Sequence, residues 1–173
     1  MTADSSPPVI AIDGPAAAGK GTLARRLAEH YGFAYLDTGL LYRAVGQRLL
    51  DQGNVPLEAD VAVAAAHSLR PKALENQALR NDETASVASQ VAMIPEVRQA
   101  LLRFQQQFAA SPPGGAAGAV IDGRDIGTVV CPDTPYKLFI TAGIEERAQR
   151  RRKELRERGI ESIHGRVLQE MKD

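Results

Sequence analysis

Gly14-Pro15-Ala16-Ala17-Ala18-Gly19-Lys20-Gly21-Thr22 is the stretch that decides the fold. It follows Val9-Ile10-Ala11-Ile12, a short apolar run with the composition of a buried parallel strand. It leads into Lys20 to Tyr31, where Leu23 and Leu27 share one helical face and Arg25, Arg26 and Glu29 another, with Gly32 as a stop. A loop that wraps phosphate oxygens must turn successive backbone N–H groups inward, and glycine stands where a side chain would block that approach. The helix N-terminus adds a partial positive charge. Lys20 is placed to reach the β- and γ-phosphates of ATP. Gly21 occupies the position where a hydroxyl usually follows the lysine, so Thr22 becomes the hydroxyl for Mg²⁺. The competing reading, a glycine-rich turn without a ligand, needs strand, loop, lysine and helix to fall in this order by chance.

Working outward, Phe33 to Leu36 reads as a second strand, and Asp37-Thr38-Gly39 opens a helix over Leu40 to Leu50. Leu57 to Leu69 is helical, 71–84 is weakly patterned, and Ser86 to Phe108 reads as a helix bent or interrupted near Pro95. Ser111 to Gly118 is a loop; Ala119 to Asp122 and Lys137 to Thr141 are strands. Ile144 to Arg158 is a charged helix broken by Gly159, and a last helix runs from about Ser162 to the end. Strands alternating with helices predict a three-layer α/β fold, a parallel sheet flanked by helices.

The bulk numbers exclude several classes. The 173 residues suit one domain, and 21 basic side chains balance 21 acidic ones, so no overall field invites nucleic acid or an anionic membrane. One cysteine, Cys131, forms no internal disulfide, and the three histidines lack metal-ligand spacing. Pro7 and Pro8 interrupt any signal-peptide core, and no apolar run approaches the roughly 20 residues that span a bilayer. The expectation is a cytoplasmic monomer.

Two further stretches carry candidate chemistry. In Asp37-Thr38-Gly39-Leu40-Leu41-Tyr42-Arg43, either Asp37 or Thr38 caps the helix and leaves the other for a ligand, and Arg43 sits one turn in, near the positive helix end. A solvated helix arginine is the alternative for Arg43, and Tyr42 reads as core. Asp122-Gly123-Arg124-Asp125 follows a strand at its carboxyl end, where open α/β sheets bind ligands. Asp122 is a candidate partner of the metal or of the lysine. The Arg124 fork matches phosphate oxygens, and Asp125 can accept from a base amino group. A plain turn with a salt bridge is the alternative here.

Together with Val87-Ala-Ser-Gln-Val-Ala92 and Pro95-Glu-Val-Arg98, these motifs make the chain resemble bacterial cytidylate kinase, a P-loop nucleoside monophosphate kinase family, colinearly from about Val9 to Met171. The resemblance implies transfer of the γ-phosphoryl group of Mg²⁺-ATP to CMP or dCMP. It implies that Thr38, Ser89, Arg98 and Asp125 surround the cytosine ring, with Thr38 and Asp125 on its amino group and Arg98 on its carbonyl and ring nitrogen. It also implies that Arg43 and Arg124 hold the acceptor phosphate. Ser89 and Arg98 rest on the resemblance alone.

In related kinases a pair such as Arg147 and Arg151, four residues apart on one helix face, lies beside the ATP base and phosphates at the root of a lid. A solvated helix laced with Glu–Arg pairs is the alternative for these two and the preferred reading of Arg150, Arg152 and Lys153. Lys20, Arg43, Arg124 and Arg151 are thus the catalytic set; Gly14 to Thr22 and Arg147 hold ATP; Thr22 and Asp122 serve Mg²⁺. The expected single domain has its core at about 9–50 and 115–145, an acceptor subdomain at about 55–112, and a lid at about 147–173. Against the family pattern, the acceptor subdomain is reduced around Arg70 to Thr84, lacking the strand alternation of a small sheet. The lid and edge strand beyond Asp173 are expected to be incomplete. Rival readings are a kinase for another nucleotide and a nucleotide-binding module without catalysis.

Overall fold

The computed structural model describes residues 6–53, 57–157, 159 and 163–171. Four parallel strands form one sheet in the order β2-β3-β1-β4: β1 is Val9–Asp13, β2 Ala34–Asp37, β3 Ala119–Gly123 and β4 Tyr136–Phe139. Ile12 lies opposite both Asp122 and Leu138, so the strands end together and their carboxyl ends form one rim. Strand periodicity divides the core. Ala11, Leu36, Ala119 and Ile121 face one side, Ile12 and Val120 the other.

The second side is covered by α1, Lys20–Tyr31, through Ala24 and Ala28; Gly32 ends it as its backbone N–H reaches back to Ala28 and Glu29. The first side is covered by α2 (Thr38–Asp51), α3 (Ala59–His67), α4 (Asp82–Val91) and α5 (Pro95–Ala110). Gly46 lets α2 and α4 approach closely: a Cβ there would lie 3.1 Å from the Ala88 backbone nitrogen. The helices α6 (Ile144–Glu157) and α7 (His164–Glu170) follow β4.

The structure refines several boundaries. The helix expected from Leu40 starts at Thr38, because the Asp37 carboxylate caps it by accepting from the Gly39 N–H at 3.0 Å. Of the two expectations for 86–108, bent or interrupted near Pro95, the structure shows the interruption: α4 and α5 are separate helices. Pro95 sits in the first turn of α5, where its missing N–H costs nothing, and Ala92-Met93-Ile94 joins the two. The weakly patterned segment forms short 3₁₀ turns at Pro71–Glu75 and Gln77–Arg80. Among the described residues no strand lies between β2 and β3. The expected last helix begins at His164; its predicted start near Ser162 lies outside the described residues. At the sheet edge, β4 is exposed at every position, including Tyr136, Leu138 and Phe139.

Candidate active site

The rim of the sheet gathers the candidate residues. Between β1 and α1 the loop carries left-handed backbone at Ala17, with φ 58°, and at Gly19, with φ 100°. Gly14 has φ 146°, and a Cβ there would overlap the Ile140 carbonyl oxygen, so only glycine lets the loop pass under the end of β4. Left-handed Ala17 costs about 1 kcal/mol against glycine, strain of the kind that sites retain. Lys20 donates to the Pro15 carbonyl at 2.9 Å across this loop. Burial lowers the Lys20 pKa; Asp122, Asp37 and Asp13 support its charge and Arg124 opposes it, which places all four within electrostatic reach of its ammonium.

Asp122, the penultimate residue of β3, is almost fully buried. Its Oδ2 accepts from the Tyr35 hydroxyl at 2.6 Å. Burial pushes its pKa up to about 6; the Tyr35 hydrogen bond, Lys20 and Arg25 pull it down, and Asp37 adds to the rise. The Tyr35 phenol is raised in turn by burial and by its bond to Asp122. The Arg25 guanidinium lies 5.5 Å from the Tyr35 ring centre, completing the surround. Thr22, on the first turn of α1, is exposed.

The acceptor candidates assemble beside this centre. Burial raises the Tyr42 pKa, with Asp125 raising it further and Arg98 lowering it, so the two side chains assigned to the cytosine ring both act on one hydroxyl. Arg43 is not simply solvated: its Nη1 donates to the Leu79 carbonyl at 2.9 Å and ties α2 to the 77–80 turn. Arg124 and Asp125 are exposed beyond β3. Thr38 is not left unengaged by the Asp37 cap. Its buried hydroxyl donates to the Asp122 carbonyl at 2.8 Å. Ser89 is exposed and donates to Ala85 of its own helix at 3.0 Å.

At the root of α6 the expected division of arginines changes. Arg147 donates to the Ala16 carbonyl at 3.4 Å. Arg150, read as solvated, donates to Ala18 at 2.9 Å and Ala17 at 3.4 Å while pairing with Glu146. Arg151 instead pairs with Glu154 at 3.2 Å within the helix. Arg147 and Arg150, three residues apart on α6, thus both reach the loop carbonyls, while Arg151 spends its guanidinium on Glu154.

Sequence reasoning missed Asp13, Tyr35 and Arg150 as site elements. Asp13 offered one signal, a carboxylate closing an apolar strand directly before Gly14. Its oxygens accept from the Ile126 and Gly127 N–H groups, each at 2.8 Å.

A parallel sheet in this order, with a glycine-rich lysine loop between its first strand and helix, defines a P-loop phosphotransferase of the nucleoside monophosphate kinase class. The family model for cytidylate kinase matches residues 10–173, and the chain belongs to that family. A protein named cytidylate kinase from Paramagnetospirillum magneticum (strain ATCC 700264 / AMB-1) is 61% identical over 165 residues, 95% of this chain and 78% of that protein. Proteins of the same name from Rhodospirillum rubrum and Methylobacterium sp. (strain 4-46) are 55% and 60% identical, over 95% and 87% of this chain and 78% and 70% of theirs. Among solved structures, an uncharacterized protein from Eubacterium ventriosum ATCC 27560 superposes with a TM-score of 0.49 at 17% identity over 95% of this chain and 69% of that one, too loosely to add to the assignment.

Proposed function

We propose that the chain transfers the γ-phosphoryl group of ATP to CMP or dCMP, giving ADP and CDP or dCDP. The observation that carries this reading is the meeting at one rim of the Lys20 loop with the β3 end and the start of α2: a Cβ on Gly21 would lie 3.6 Å from Asp122 Oδ2, and Thr38 donates to the Asp122 carbonyl at 2.8 Å. The acceptor phosphate oxygen is already anionic, so no covalent intermediate or strong general base is required. Catalysis is alignment plus neutralisation of spreading charge.

The backbone of Gly14 to Thr22 wraps the ATP phosphates, with Lys20 exchanging the Pro15 carbonyl for them. Arg147, which donates to the Ala16 carbonyl of the loop, serves the ATP base. Arg43 and Arg124 hold the acceptor phosphate, and Arg151 joins the phosphates by releasing Glu154. On the cytosine side, Thr38 has committed its only hydroxyl hydrogen to Asp122, so toward a ligand it can act only as an acceptor. Together with the Asp125 carboxylate it suits an exocyclic amine, while Arg98 supplies donors for the carbonyl and ring nitrogen; Ser89 flanks the same ring.

Among the described residues no group of three or more His, Cys, Asp or Glu forms a metal cage of its own. The Thr22 hydroxyl and the Asp122 carboxylate are the oxygens that would hold Mg²⁺, a hard cation served by few protein ligands. Bound there, Mg²⁺ supplies positive charge against the β- and γ-phosphate oxygens. Residues about 55–112 form the acceptor unit on a core of about 9–50 and 115–145, and residues from about 147 belong to the lid.

No helix among the described residues is long and apolar enough to cross a membrane. The balanced charge supports action on small nucleotides rather than on nucleic acid. Turnover of CMP, dCMP, UMP and AMP with Mg²⁺-ATP tests the proposal. Preferential formation of CDP and dCDP is expected. Preference for another base would overturn the specificity, and binding of ATP and CMP without CDP formation would favour a nucleotide-binding module.

A further inference from the structure

The turn Ile126–Val130 follows Arg124 and Asp125 and winds more widely than an α-helix, with the Cys131 N–H reaching Ile126 at 2.7 Å and the Val129 N–H reaching Asp125 at 2.8 Å. Like any helical start, it leaves its first N–H groups without partners inside the turn. Asp125 stands at the capping position, yet its side chain makes no capping hydrogen bond. Asp13 takes that place from another strand, accepting from Ile126 through Oδ1 and from Gly127 through Oδ2, both at 2.8 Å. The approach is close: a Cβ on Gly127 would lie 3.3 Å from Asp13 Oδ2 and 3.2 Å from Lys137. Ile126 is fully buried, which seats the turn. Asp13 also accepts from the Ile140 N–H through its carbonyl at 2.8 Å, and it directly precedes Gly14 of the phosphate loop.

We propose that Asp13 is a positioning residue that caps the 126–130 turn in place of Asp125, fixing the acceptor-side Arg124 and Asp125 to the first residue of the donor loop and leaving the Asp125 carboxylate for the acceptor base. Helix capping and ligand recognition compete for the same carboxylate oxygens. With Asp13 in the cap, the exposed Asp125 carboxylate makes no capping bond of its own and acts electrostatically on the Tyr42 hydroxyl. The tether also sets the distance between donor and acceptor phosphates, to which in-line transfer is sensitive.

The role in transfer rests on the kinase reading; the tether itself does not, and the test separates them. In Asp13→Asn the amide keeps one acceptor oxygen but turns its NH₂ toward the other backbone N–H. Hydrogen exchange of the 124–131 segment in the full chain is expected to speed up about tenfold, while the 14–22 segment changes little. In the kinetic arm, the KM for CMP is expected to rise and kcat to fall, each about tenfold, with the equilibrium Kd for ATP within about twofold of wild type. Unchanged exchange at 124–131 would overturn the tether whatever the activity. With faster exchange, unchanged CMP kinetics, or equal weakening of ATP, would overturn the positioning role. Should Asp13→Asn not fold, Gly127→Ala perturbs the same contact from the turn side. It is expected to give the same split, and unchanged exchange and CMP kinetics in that variant would overturn the proposal.

Discussion

Replacing the buried carboxylate of Asp122 by an amide, Asp122→Asn, should stabilise the unliganded chain while impairing transfer. Its pKa stands at about 6 in the folded chain against 3.8 for the free side chain, with burial as the leading cause. That difference corresponds to about 3 kcal/mol by which folding disfavours the ionised form. Because the folded state binds this proton more tightly than the unfolded chain, the group's contribution to stability is full below pH ~4 and is lost as pH rises through about 6. Asparagine matches the shape, and its carbonyl can accept the Tyr35 hydroxyl. The Lys20 ammonium loses one neighbouring charge but keeps Asp37 and Asp13 within reach, so the net gain at pH 8 is about 2 kcal/mol.

Urea melts followed by circular dichroism, without nucleotide and with a chelator, read this directly. Asp122→Asn should exceed wild type by about 2 kcal/mol at pH 8, and the gap should close by pH ~4. CMP phosphorylation should fall by about two orders of magnitude. A variant less stable than wild type at pH 8 by as much as at pH 4 would refute the reasoning, showing that the Tyr35 hydrogen bond, Lys20 and Arg25 fully offset the burial.

Other substitutions probe separate contacts. Gly14→Ala places a methyl group onto the Ile140 carbonyl and should cost more than about 3 kcal/mol, read as lost soluble protein or a Tm drop of about 6 °C or more. Arg150→Ala removes the bond to Ala18 and should raise the KM for ATP about threefold to tenfold with little change in Tm, whereas exposed Arg152→Ala should leave both unchanged. Thr38→Val keeps the shape but removes the donor to the buried Asp122 carbonyl, so a loss of about 1–2 kcal/mol is expected in urea melts, together with weaker discrimination of CMP from UMP in turnover.

The strand–loop–helix of Val9 to Tyr31 was legible because its information is local. An apolar run of strand length, glycines where backbone must approach phosphate, a lysine and a 3.6-residue pattern lie within one continuous segment. The same holds for Gly32 as a helix stop and for Arg124 and Asp125 beyond a strand end. The boundary at Pro95 was half legible, since proline both breaks a helix and begins one, and only packing decides which.

By itself, then, the sequence determined the alternation that makes a parallel α/β sheet, the phosphate loop, and the motifs shared with cytidylate kinases. Tertiary structure alone decided how the polar groups are spent: Asp13 caps a turn more than a hundred residues away, Tyr35 serves Asp122, Thr38 commits its proton to the Asp122 carbonyl, and Arg150 grips the loop where Arg151 does not. The reason is physical. Periodicity and glycine placement act through neighbouring backbone, whereas partners and pKa shifts depend on which distant strands meet at the rim and how much water their meeting excludes.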